Sequence, residues 1–144
     1  MKRTGIWLDK RKAHIVSFYD SKESFNTILS NVENFNVSGG SGTRFKGGPQ
    51  DVVQDSKYLE RKKHQLKRYF ETIVSDIKNA NEIVIFGPAE TAEKFYKELS
   101  EKHTDLLTKV IDVVKSDSMT KKQVKAWVRD FYNIKKSNQF SYKN

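Results

Sequence analysis

The chain contains no cysteine. That excludes disulfides, thiolate zinc sites and thiol catalysis together, and fits a reducing compartment. It has no run of 18 apolar residues either, so a membrane-spanning helix is excluded. Met1-Lys2-Arg3-Thr4-Gly5 leads straight into a short apolar strand with another basic cluster behind it. It has no hydrophobic signal region, so secretion is not expected and the expected location is cytoplasmic. Neither a G-x-S-x-G nucleophile elbow nor a G-x-G-x-x-G fingerprint occurs. Gly39-Gly40-Ser41-Gly42 is glycine-rich, yet Lys46 is not followed by Ser or Thr, so it is not a P-loop.

What is present is base. Of 144 residues, 27 are Lys or Arg and 18 are Asp or Glu, a net charge of +9. Hydrophobic residues at 36% and aromatics at 12% suffice for one core, and such a chain can bury about two-thirds of its unfolded surface. The charge is concentrated. Lys57 to Arg68 holds Lys57, Arg61, Lys62, Lys63, Lys67 and Arg68 against Glu60 alone, a net of +5. Met119 to Asn144 holds seven bases against Asp130, a net of +6. The rest of the chain therefore sums to −2. Two basic surfaces on a near-neutral body are the electrostatic footprint of a phosphate-bearing partner, although a solvated helix face has the same composition.

The order of elements reads β-β-β-α-β-α-β-α. Gly5–Leu8 and Ala13–Tyr19 form a hairpin about the charged turn Asp9-Lys10-Arg11-Lys12, and Ser24–Val32 follows as a third strand. Ser38–Pro49 holds five of the seven glycines and reads as a long flexible loop. From Val52 to Asn79, Leu59, Leu66, Phe70, Ile73 and Ile77 recur at helical spacing with the bases largely opposite. Ile83–Phe86 is a continuous apolar run, as a strand buried on both faces requires. Gly87-Pro88 ends it and opens a helix whose buried stripe is Ala92, Phe95, Tyr96 and Leu99. Leu106–Val114 is a fifth strand. Thr120 and Gln123 make a capping box for a last helix with the stripe Val124, Trp127, Val128 and Phe131. The expected fold is α/β and ribonuclease-H-like, a mixed five-stranded sheet with helices on its faces. One module spans 1–134, and residues 135–144 are expected to be a polar, frayed tail.

Such a fold raises the hypothesis of a two-metal nuclease, with Asp9 after the first strand and Glu60 on the first helix as ligands. The position beside Asp9 at the end of the fourth strand reads Phe86-Gly87-Pro88, without an acid. Asp9 therefore reads as a turn-former, and no metal or cofactor is expected. His14, His64 and His103 show no ligand spacing and read as one strand residue and two exposed residues. Gly87-Pro88 could offer helix amides to an anion, but reads as a short connection. Trp7 and Trp127 read as core. Phe45, between Arg44 and Lys46, is a candidate for stacking on a nucleobase.

Gly39-Gly40-Ser41-Gly42-Thr43-Arg44-Phe45 resembles the loop of the central domain of archaeal and eukaryotic class-1 peptide-chain release factors and of Pelota-type ribosome-rescue factors. Those release factors read Gly-Gly-Gln-Ser-x-x-Arg-Phe before a long basic helix. Ile83-Val84-Ile85-Phe86-Gly87-Pro88 and Val110–Val114 are similar to later parts of the same domain. The resemblance implies a ribonuclease-H-like fold without nuclease carboxylates, and a short stand-alone bacterial relative of that domain. The glutamine that in release factors positions the attacking water is absent, Ser41 is too short to replace it, and Gln50 lies ten residues beyond Gly40.

The function expected from the sequence is a non-catalytic RNA-binding module acting on the ribosome or tRNA. Its nucleic-acid contacts are Arg61, Lys62, Lys63, Lys67 and Arg68, joined by the loop residues Gly39, Gly40, Ser41, Gly42, Arg44, Phe45 and Lys46. A peptidyl-tRNA ester hydrolase with a rearranged loop, and a module binding an acidic protein surface, are the alternatives.

Overall fold

The computed structural model describes residues 1–20, 22–32 and 48–143, with side chains for all of these except 48–56 and 133–143. Strands β1 (Lys2–Leu8), β2 (Lys12–Tyr19) and β3 (Lys22–Leu29) form an antiparallel meander. After helix α1 (Gly48–Asp76), β4 (Glu82–Gly87) inserts parallel to β1. Helices α2 (Thr91–Lys102) and α3 (Thr104–Leu107) lead to β5 (Val110–Lys115), parallel to β4, and α4 (Lys121–Lys143) closes the chain. The sheet order is β3-β2-β1-β4-β5, the expected mixed five-stranded sheet of ribonuclease-H-like folds.

Alternation along the strands sorts the core into two layers. Ile6, Leu8, Ala13, Ile15, Ile83 and Ile85 pack with Tyr69, Phe70, Ile73, Ile77, Phe95 and Leu99 of α1 and α2. Trp7, Val16, Val84 and Phe86 face the other way, onto Val124, Val128 and Tyr132 of α4. Gly5 lies under α4, where an added Cβ would strike the side chain of Val128, so the helix rests directly on β1. Tyr132 completes this seat by donating its hydroxyl to the Thr4 carbonyl at 2.8 Å.

Several expected boundaries shift. β3 ends at Leu29 rather than Val32, because Asn31 turns the chain away with a φ of 55°. α1 begins at Gly48, inside the stretch read as loop. α2 starts at Thr91, so Pro88 is not in its first turn, and Ala89 with a φ of 55° lies between them. Leu106 and Leu107 belong to α3, not to the fifth strand. The Thr120–Gln123 capping box forms in both directions, at 2.8 and 3.2 Å. α4 runs from Lys121 to Lys143.

Candidate nucleic-acid interface

Helix α1 has two unlike halves. From Tyr69 onward it is anchored: Tyr69, Phe70, Ile73, Val74 and Ile77 are buried, and Phe70 meets Phe95 edge-on at 5.3 Å. From Lys57 to Gln65 no residue is buried, and Leu59 is 59% exposed. Leu59 was expected in the apolar stripe, and its phase is right. The helix simply runs past the end of the sheet before reaching it, a stretch of nine residues or about 13 Å. Tyr96, assigned to the stripe of α2, is likewise 40% exposed.

Of the six bases between Lys57 and Arg68, five, Lys57, Arg61, Lys63, Lys67 and Arg68, are exposed. At about 100° per residue, Lys57, Arg61 and Arg68 share one stripe opposite the apolar one, and Lys63 and Lys67 share a second. Lys62 is half-buried, its ammonium 5.9 Å from the centre of the Tyr58 ring. Lys67 leans toward α2, and its pKa is lowered by a hydrogen bond to Lys102 and by that residue's like charge.

The turn between β1 and β2 joins this surface. Asp9 Oδ1 accepts the backbone N–H groups of Arg11 and Lys12 at 2.8 and 2.9 Å, which makes Asp9 the turn-former. The Tyr69 hydroxyl donates to the Asp9 carbonyl at 3.0 Å, and the Ser30 N–H donates to the Arg11 carbonyl at 2.8 Å. The exposed Lys10 and Arg11 thus stand on a turn pinned to Tyr69, the residue after Arg68. Arg68, Gln65, Tyr69 and Thr72 line a cleft of about 230 Å3 with Leu29, Ser30 and Asn31. Sequence reading missed Lys10 and Arg11 as site residues, since only the tertiary contacts bring the turn to the helix. The loop residues Gly39, Gly40, Ser41, Gly42, Arg44, Phe45 and Lys46 lie outside the described residues.

Among the described residues, the carboxylates of the nuclease hypothesis are not brought together. Glu60 precedes Tyr69, the residue bonded to Asp9, by nine residues, or about 13 Å of helix. At the end of β4, a Cβ on Gly87 would run into the Leu8 carbonyl oxygen, and φ there is 154°. No side chain fits where the second carboxylate would stand.

The histidines divide. His14 is buried between the rings of Trp7 and Phe25, at 5.3 and 5.5 Å, with Nδ1 2.9 Å from Thr27 Oγ1. Burial lowers its pKa, with Lys12 and Lys121 adding to the shift. His64 is exposed. His103, expected to be exposed, is half-buried at the junction of α2 and α3, and Glu71 and Glu98 lie around its ring. Trp7 is in the core, its indole donating to the Asp117 carbonyl at 3.3 Å. Trp127 is only half-buried, stacked on Phe86 at 3.8 Å.

The second basic region is tied to the opposite face of the sheet. Lys125 of α4 places its ammonium 4.7 Å over the Phe25 ring, and Arg129 pairs with Glu23 at 2.7 Å. Among the described residues, no helix is long and apolar enough to cross a membrane.

No family model and no curated protein matches the chain. Solved structures do. Pelota of Archaeoglobus fulgidus matches 96% of this chain at a TM-score of 0.52 and 8% identity. Pelota of Thermoplasma acidophilum matches 91% at 0.47 and 17% identity, and the archaeal translation termination factor aRF1 matches 99% at 0.45 and 10% identity. The chain spans 37%, 32% and 41% of those three chains, respectively. The likeness to A. fulgidus Pelota is one of fold: the chain has the fold of a Pelota-like domain.

Proposed function

We propose that the protein is a non-catalytic RNA-binding module of the translation machinery, engaging ribosomal or transfer RNA through α1 and the glycine segment before it. The observation that carries this reading is the projecting stretch Lys57–Gln65, which has no buried residue and carries Lys57, Arg61, Lys62 and Lys63. A helix serving only the core has no need to run beyond it. One that runs past the sheet offers charge to a phosphate backbone from more than one side. Lys10, Arg11 and Arg68 extend the same positive surface. The resemblance of Gly39–Phe45 to the release-factor loop, and a fold like that of Pelota, support the ribosome as the place of action.

Neutralising about five phosphates gives a log–log salt slope of roughly −3.5 to −4.5. Co-sedimentation with ribosomes at two salt concentrations tests the reading. Association that falls steeply with salt, together with such a slope on isolated RNA, supports it. Salt-insensitive binding to a ribosomal protein, or no association at all, overturns it.

A further inference from the structure

We propose that Glu71, Glu98 and His103 form a binding site for a divalent transition-metal ion of the zinc class, linking α1 to the end of α2. One ligand atom from each residue lies within 4.8 Å of the other two. His103 Nε2 and Glu98 Oε2 are both shut off from solvent, and neither has a hydrogen-bond partner. A buried imidazole nitrogen and a buried carboxylate oxygen left in this condition are costly unless something between them accepts their lone pairs. A metal ion does so.

The carriers are rigid. The His103 backbone is fixed on both sides, its N–H donating to the Leu99 carbonyl at 2.9 Å and its carbonyl accepting from Leu106 at 3.0 Å. Phe70, next to Glu71, packs on Phe95, one turn before Glu98 and Leu99. Side-chain rotation alone must bring the ligand atoms from this spacing to the roughly 3.4 Å of a tetrahedral site with bonds of about 2.0–2.1 Å. One imidazole with two carboxylates suits zinc and its neighbours, whereas magnesium and calcium prefer all-oxygen sites. Two ammonium groups compete for the same carboxylates. Lys102 stands 3.9 Å from Glu98 Oε2, beyond hydrogen-bonding range, and Lys67 lies beside Lys102. Both lysines are exposed and can swing into solvent as the ion enters.

Calorimetric titration of zinc alone into the metal-free full chain tests the site, with melting curves confirming that each variant is folded. One saturable site is expected, weakened about tenfold or more by His103→Gln or Glu98→Gln. His64→Gln should leave binding unchanged, and Lys102→Gln should tighten it by removing a competing charge. Zinc should also raise the melting temperature of the parent protein and not of His103→Gln. Absence of saturable binding, binding unaffected by His103→Gln, or binding lost in His64→Gln overturns the proposal.

Discussion

The two basic helices use their charge in different ways. Between Lys121 and Tyr132, α4 lies on the sheet, close enough to β1 that a Cβ at Gly5 would strike the Val128 side chain, and Lys125 and Arg129 are engaged with Phe25 and Glu23 of β3. α1 is seated only from Leu66 onward, and its bases between Lys57 and Lys63 stand on a stretch the core never reaches. Similar charge counts thus serve different ends. On α4 some of the bases help to hold the fold together, and on α1 they project from it. A basic run is informative about binding only once its distance from the core is known.

The comparison can be broken first at the seat of α1. Phe70→Ala removes a buried ring from the contact with Phe95 and should cost about 3–5 kcal/mol. Denaturant unfolding checks this. A loss under about 1 kcal/mol would mean that α1 is not anchored there. Gly5→Val tests the seat of α4 in the same assay, and forcing Val128 aside should cost about 1–3 kcal/mol.

Binding is the next test. Replacing Arg61, Lys62 and Lys63 by Gln should reduce the RNA salt slope by about two to three, roughly one per lost phosphate contact. Deleting Lys135–Asn144 also removes three positive charges, Lys135, Lys136 and Lys143. It should weaken RNA binding clearly less at the same salt. Equal losses would mean that only total charge matters.

A smaller effect concerns pH. His14 is kept neutral in the fold, with its pKa below the ordinary 6.5. Its contribution to stability is therefore complete above about pH 6.5 and is lost as the pH falls from there through the folded value. Melting temperatures between pH 7 and 5 should decline in the parent protein and less steeply in His14→Gln. The smallest change is expected at Leu59, where Leu59→Ala should alter stability by no more than about 0.5 kcal/mol despite its place in the helical pattern.

Much of the fold was legible because alternation and helical period are local. Ile83–Phe86 announced a doubly buried strand, and Thr120–Gln123 a helix start, on their own residues alone. The missing acid at Gly87 was also visible, and the structure supplies its reason in the Leu8 carbonyl pressed against that position. Boundaries were less legible. Leu106 and Leu107 are apolar enough for a strand, yet close a helical turn after His103. Of the candidate interface, the bases of α1 were readable as a charge run, but Lys10 and Arg11 were not readable as their neighbours.

The sequence by itself determined the order of the five strands and the three long helices, their apolar stripes and the sign of the net charge, because each follows from the spacing and chemistry of nearby residues. Only the tertiary structure decided that Leu59 meets no core, that Tyr69 and Ser30 pin the Asp9 turn beside α1, and that His103 lies against Glu71 and Glu98. The physical reason is the same in each case. Periodicity fixes the face on which a side chain lies, but where an element ends relative to its neighbours is set by packing between segments far apart in the chain.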